Sequence, residues 1–397
     1  MRLTPEVKAL IRKLKDDSPE SIALQSKRYP DLPMALIAQQ VKARQRARTK
    51  LPSWCGNESI VFSRSLSLEQ SSSEYTADYK AKILRGETLA DLTGGFGVDA
   101  FAFSGKFNRV FHIERDRELS EVVAENAIAL GKEKVLSTVV ADGLDWLDKY
   151  PDALDVIYLD PARRDRRSLR VSALEDCEPN ILPHWETLLT KAKRVALKLS
   201  PGLDIDRVLT QLSCIQEVHV VSIENDCKEC FCVAKEGHEE EARIVCVNRR
   251  LDSVWDKFVF YRSEEKQVQG EYSRYSNFLY EPNASIMKAG GFKSLGRECG
   301  LKLLHPRTRF YTSKQFQNDF PGRVFEVLDA GDLKARSAAA LFPEGKANVL
   351  ARNAGLSSEA LKRKLKLSNG GELFAIGTTD IEGTRRLLKC RKMKRVS

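Results

Sequence analysis

Leu89-Ala90-Asp91-Leu92-Thr93-Gly94-Gly95-Phe96-Gly97-Val98-Asp99 is the stretch that decides the fold. A short apolar run ends on an acid, glycines crowd the next few positions, and a helical pattern begins. Glycines let the backbone approach a ligand closely, and a helix N-terminus offers free N–H donors. Gly95-Phe96-Gly97-Val98-Asp99-Ala100 also fits the dinucleotide fingerprint GxGxxA, which alone is a weak signal. Asp91 argues the other way. An acid at the strand end suits a cationic amino-acid ligand and sits badly beside a pyrophosphate.

Outward from this stretch, short apolar runs alternate with helical segments. The runs are Thr88-Leu89-Ala90, Val110-Phe111-His112-Ile113, Ser137-Thr138-Val139-Val140, Val156-Ile157-Tyr158-Leu159 and Val195-Ala196-Leu197-Lys198-Leu199. Such alternation predicts an α/β fold, a parallel sheet with helices on both faces. Val218-His219-Val220-Val221 and Cys230-Phe231-Cys232-Val233-Ala234 follow too closely for a crossover helix, so the last of them is expected to run antiparallel. Glu114 closes the second strand, where a carboxylate can accept both ribose hydroxyls of a nucleoside. Asp142-Gly143 follows the third, within reach of an adenine amino group. The competing reading makes Asp91 and Asp142 simple helix N-caps.

Asp160-Pro161-Ala162-Arg163 closes the fourth strand, and in doubly wound sheets ligands sit beyond the carboxyl ends of the strands. Arg163, Arg164, Arg166, Arg167 and Arg170 follow, a density of guanidiniums suited to polyphosphate. Against it stands a solvated loop paired with Asp165, Glu175 and Asp176.

The 397 residues carry a net charge of +10, which favours a polyanionic partner. No apolar run is long enough for a membrane span, and residues 1–6 lack the apolar core of a signal peptide. No membrane partner is expected. Nine irregularly spaced cysteines suggest reduced thiols and a cytoplasmic protein. Cys227-x-x-Cys230-x-Cys232 lacks the second ligand pair of a zinc site and reads better as buried thiols, so no structural metal is expected.

Residues 1–80 read as helical. Thr4-Pro5-Glu6 and Ser18-Pro19-Glu20 have the form N-cap, Pro, acid, and a third helix starts near Pro33 and runs to Arg48 with cations spread around it, either a solvated helix end or a phosphate-binding face. The polar block Glu69-Gln70-Ser71-Ser72-Ser73-Glu74 either lines a substrate cleft or, through Ser73-x-x-Thr76, caps the next helix, and the two readings are compatible. Pro282 and Ala289-Gly290-Gly291 mark loops. Beyond Pro321-Gly322 come a strand at 323–327, a helix at 333–341, a strand at 348–351, a helix at 357–365 and a closing hairpin from 373–376 and 387–390. Lys334, Arg336, Arg352, Lys362, Arg363 and Lys364 belong to a basic surplus there, either an RNA-binding face or general solubility charge.

Three resemblances emerge. Asp91, Thr93, Gly95, Gly97, Asp99, Glu114, Asp142 and Gly143 together look like the S-adenosylmethionine (SAM) site of class I methyltransferases, with Thr93 in place of the usual first glycine. Asp160-Pro161 resembles the Asp/Asn-Pro-Pro-aromatic motif of enzymes that methylate nitrogen, but Ala162-Arg163 replaces the stacking ring. Lys80, Asp160, Lys198 and Glu229 match in order and strand position the Lys-Asp-Lys-Glu tetrad of ribose 2′-O-methyltransferases. There a lysine with a lowered pKa takes the hydroxyl proton. Lys198 in an apolar strand needs a partner, Asp160 or Glu229.

Over most of its length the chain resembles bacterial class I methyltransferases with a C-terminal THUMP-like domain. The residues that carry this are 68–80, 91–99, 160–163, Glu224-Asn225-Asp226-Cys227-Lys228-Glu229, Leu279-Tyr280-Glu281-Pro282-Asn283-Ala284 and Phe320-Pro321-Gly322-Arg323-Val324-Phe325. The resemblance implies a Rossmann-like methyltransferase sheet at 81–250, after the N-terminal helices. A linker and ferredoxin-like segment would follow at 251–323, and an α+β THUMP-like domain at 324–397 would dock structured RNA. It implies SAM as cofactor and an RNA substrate, with the acceptor a ribose 2′-oxygen or a base nitrogen. Two rivals remain: an RNA-binding protein with a vestigial SAM fold, and an NAD-dependent dehydrogenase.

Overall fold

A computed structural model describes residues 3–63, 71–163 and 173–395. The chain divides into two compact units, Met1–Ile215 with Phe231–Glu239, and Gln216–Cys230 with Glu240–Ser397.

The first unit opens with helices. The Thr4 hydroxyl accepts the Val7 amide at the head of helix Pro5–Lys13, and Ser18 does the same for Ser21 in helix Pro19–Ala23. Helix Met34–Ala47 follows. Its cations are not all spread over the surface. The Arg44 guanidinium turns inward and donates to the carbonyls of Cys55, Asn57 and Ile60. Trp54 packs on Phe96 and Phe101, at centroid distances of 5.3 and 5.1 Å, so the helices share one apolar core with the glycine-rich segment.

The strands of this unit are β1 (Thr88–Asp91), β2 (Arg109–Glu114), β3 (Leu136–Val140), β4 (Leu154–Leu159) and, after a two-residue pair β5 (Ala162–Arg163) and β6 (Cys177–Glu178), β7 (Ala192–Leu199). They lie in the order β7-β4-β1-β2-β3, each pair parallel. Leu89, Val110, Val156, Ile157, Val195 and Leu197 are fully buried, as expected of strands covered on both faces. Registers Asp91↔Tyr158 and Glu114↔Val140 bring the carboxyl ends of the strands to one edge.

In the second unit β8 (Ile215–Ile223) pairs in parallel with β10 (Arg243–Arg249), which pairs antiparallel with β11 (Trp255–Phe260). The residues of β9 (Asp226–Ala234) are divided between the units at Cys230 and Phe231. A seven-stranded sheet has the order β13-β14-β12-β15-β18-β17-β16. Its strands are β12 (Phe278–Pro282), β13 (Lys302–His305), β14 (Thr308–Ser313), β15 (Gly322–Asp332), β16 (Asn348–Arg352), β17 (Leu373–Thr379) and β18 (Arg385–Lys392). The expected closing hairpin is β17–β18, antiparallel from Leu373↔Arg391 to Thr379↔Arg385. Pro282 is not a loop residue. It ends β12 opposite Gly322, a terminal position where a missing N–H is tolerated. Gly290, at φ 86°, closes helix Ala284–Ala289. No helix among the described residues is long and apolar enough to cross a membrane.

Candidate active site

Asp91 ends β1 with its side chain buried, and its Oδ1 accepts the Thr93 amide at 3.1 Å. Burial pushes this carboxyl well above the usual carboxylate range. The charge of Asp99 adds to the rise, as do Asp160 and Glu114, while the Thr93 amide opposes it. It is a carboxyl set to welcome a cation. Asp91 is not a helix cap, because helix Val98–Phe103 starts only after Gly97.

The glycine loop follows. Gly95 and Gly97 have φ of 56° and 79°, the left-handed region that favours glycine. A Cβ on Gly95 would meet nothing closer than the Thr93 carbonyl at 3.7 Å, so this backbone faces open space. Gly94 is packed instead: a Cβ there would come within 2.4 Å of the His112 ring, whose Nε2 lies 3.2 Å from the Gly95 carbonyl. The Gly95 amide donates to Glu114 Oε2 at 2.8 Å and the Asp116 amide to Oε1 at 2.8 Å, which fixes Glu114 at the end of β2. Asp142 does cap its helix, accepting from the amides of Leu144 and Asp145. A Cβ on Gly143 would sit 2.1 Å from the Leu92 carbonyl, so this turn lies directly against the residues that follow Asp91.

Asp160, just beyond β4, forms an ion pair with Lys198 of β7. Its side chain is 32% exposed and that of Lys198 13%, so the pair is open to a ligand. The Asp160 amide donates to Thr93 Oγ1 at 2.6 Å.

Lys80, on helix Glu74–Ile83, is fully buried. Its Nζ lies 3.0 Å from Asp99 Oδ1 and 2.8 Å from Ser72 Oγ. Asp99 Oδ2 also accepts from Ser72 Oγ at 2.7 Å and from the Tyr158 hydroxyl at 2.9 Å. Burial would raise the Asp99 carboxyl, yet Lys80 and Lys198 together hold it below its usual range. Asp99, expected at the cofactor, is therefore engaged by an internal cluster. Sequence reasoning missed the roles of Tyr158 and His112 and read Ser72 only as part of a polar block. The signal for Ser72 was the polar run 69–74. It divides its work: Ser73 caps the helix and Ser72 bridges Lys80 and Asp99.

Pro161 is buried and Ala162 exposed, and Arg163 pairs through its backbone with Cys177 in β5–β6. Arg164, Arg166, Arg167 and Arg170 lie outside the described residues. Glu229 is buried on β9. Cys230 and Cys232 are buried on the same strand, and no group of three metal-binding side chains occurs among the described residues.

Farther along the chain, Arg336, Arg363 and Lys364 are exposed. Lys334 and Lys362 are drawn towards Asp332 and Glu359. Arg352 is committed elsewhere: its Nε donates to Glu281 Oε1 at 2.9 Å, while Arg323 Nε donates to Glu281 Oε2 at 2.7 Å.

Comparisons with known proteins bear on the fold and the family. Residues 278–321 match a ferredoxin-like domain and residues 322–392 a THUMP domain-like family. An S-adenosylmethionine-dependent methyltransferase of Mycobacterium tuberculosis, known from strains H37Rv and CDC 1551 and itself uncharacterized, is 25% identical over 339 residues, 84% of this chain and 90% of that one. A crystal structure from Porphyromonas gingivalis W83, described as that of a candidate methyltransferase, is 32% identical, with a TM-score of 0.87 over 99% of this chain and 100% of that one. The chain is a SAM-dependent methyltransferase, and it belongs with that protein to the class I family that carries ferredoxin-like and THUMP-like domains at its C-terminal end.

Proposed function

We propose that this enzyme methylates RNA on a ribose 2′-oxygen presented at the Asp160–Lys198 pair. The observation that carries the reading is that pair: an ammonium and a carboxylate in contact, partly open, at the strand ends where a doubly wound sheet binds its ligands. The cofactor, when bound, supplies an electrophilic methyl group. Asp91 would take its ammonium, Glu114 its ribose hydroxyls and Asp142 its adenine amine, and the backbone at Gly95 would admit its close approach. The fit rests on a buried carboxyl short of a cation at Asp91 and on open space over Gly95.

The Lys198 ammonium orients the acceptor oxygen, and the Asp160 carboxylate takes the hydroxyl proton as the oxygen gains the methyl group; the proton then leaves to solvent. Lys80 has no exposed surface, so it acts on the pair through Asp99, which feels both lysines. Most of the rate enhancement comes from orientation of the acceptor against the methyl group. RNA as substrate is supported by the THUMP domain-like match and by the exposed cations Arg336, Arg363 and Lys364. Arg164, Arg166, Arg167 and Arg170 are proposed to take the phosphodiester chain.

A second reading keeps RNA but makes the acceptor a base nitrogen held by Asp160 and a carbonyl. The Asp160-Pro161 sequence favours it. Mass spectrometry of nucleosides from cells with and without the gene separates the two. Loss of one 2′-O-methylnucleoside supports the first reading. Loss of an N-methylated base supports the second. No change in any RNA nucleoside overturns both.

A further inference from the structure

We infer that Thr93 is a positioning residue that ties Asp91, at the cofactor end of the cleft, to Asp160, at the acceptor end. The inference rests on the assignment of those two acids made above.

β1 and β4 are adjacent and parallel, so the segments that leave them run side by side. The ladder continues one residue past β1, where the Leu92 amide donates to the Tyr158 carbonyl at 3.0 Å. Thr93 comes next and is bonded on both sides. Its amide donates to Asp91 Oδ1 at 3.1 Å, and its Oγ1 accepts the Asp160 amide at 2.6 Å. With that lone pair engaged, the hydroxyl proton is free to face Asp91 Oδ1, 3.5 Å away. One hydroxyl thus accepts from the acceptor side and donates to the cofactor side, as its chemistry permits.

A glycine at this position would leave the Asp160 amide without this acceptor. The Asp160 backbone sets the direction of the carboxylate that meets Lys198. A ligand that draws on Asp91 is therefore felt at Asp160, and by linkage an acceptor at Asp160 is felt at Asp91.

The test uses full-length enzyme with total RNA from a strain lacking the gene as acceptor, and SAM affinity read by calorimetry. Thr93→Val keeps the shape and removes both hydrogen bonds. At saturating SAM its kcat should fall roughly 10-fold or more as the partly buried Asp160 amide loses its acceptor and the carboxylate loses its aim, while SAM affinity changes by less than about threefold. Thr93→Ser restores the hydroxyl and should bring kcat back to within about threefold of wild type. If Thr93→Val does not fold, Thr93→Ala replaces it with the same expectation. Unchanged kcat, a loss of SAM affinity as large as the loss of kcat, or failure of serine to restore turnover overturns the inference. Two controls test the underlying assignment: Asp91→Asn should weaken SAM binding, and Asp160→Asn should keep SAM binding and lose transfer. If they fail, the assignment fails. If they hold and the threonine series does not, only the role of Thr93 fails.

Discussion

The Lys80 ammonium lies 3.0 Å from the Asp99 carboxylate, with side-chain exposures of 0% and 9%. Ser72 and Tyr158 complete the hydrogen bonds of this carboxylate. Breaking one member of such a pair strands a buried charge, which costs more than the pair itself contributes. Lys80→Met should therefore destabilise the protein by about 3–5 kcal/mol. The double variant Lys80→Met/Asp99→Asn, which strands no charge, should recover much of the loss. Denaturant titration checks it; a double variant less stable than Lys80→Met would exclude a tight internal pair.

Asp91 should trade stability for binding. Its carboxyl is raised by burial and by Asp99, so in the cofactor-free protein its ionised form is a strain. Asp91→Asn should raise the Tm without cofactor and weaken SAM binding. SAM affinity should also improve as pH rises through the elevated Asp91 pKa, since the carboxylate is the form that attracts a cation. Calorimetry across pH reads this directly. A pH-independent affinity would sink the expectation.

Lys198→Ala separates the two chemistries. Under the ribose reading transfer should fall at least about 100-fold, within the range of an acid–base group. Under the base-nitrogen reading it should stay near wild type. Asp160→Ala should abolish transfer in both cases, with SAM binding intact.

Gly94 is a test of packing rather than chemistry. A Cβ there meets the His112 ring at 2.4 to 2.7 Å. Gly94→Ala should cost about 1–3 kcal/mol by overpacking and lower SAM affinity as the loop shifts. Gly94→Ala/His112→Ala should restore part of both. No restoration would mean that His112 is not what excludes the methyl group.

Asp155 predicts the acid limb of stability. Burial would raise its carboxyl, but the Lys193 ammonium and the amides of Thr88 and Glu87 bring it to about 2. A depressed acid stabilises above its unfolded pKa and loses that contribution as pH falls through its folded one. The loss should therefore fall between about pH 4 and about pH 2. Asp155→Asn should flatten stability in that window and leave the slope at neutral pH unchanged.

Much of the acidic edge at the strand ends was legible in the sequence. Asp91, Glu114 and Asp160 each close a strand whose apolar run could be read directly, and parallel topology then delivers them to one edge. The segment 251–323 was not legible in the same way. Pro282 and Gly290-Gly291 punctuate it as loops, yet β12, β13 and β14 form there by pairing with distant partners such as β15. Short half-polar strands carry little periodic signal.

Order along the chain, then, was enough to determine the sheet, the glycine loop and the acids at its rim, because strand and helix periods are local properties. Only the tertiary structure decided which charges are neutralised internally and which remain for a ligand. Lys80, Asp99 and Tyr158 meet across 78 residues, Arg352 finds Glu281 across 71, and the Thr93 hydroxyl finds the Asp160 amide across 67. The physical reason is that a charge or hydroxyl is satisfied by whatever lies within about 3 Å in space, and sequence separation says nothing about that distance.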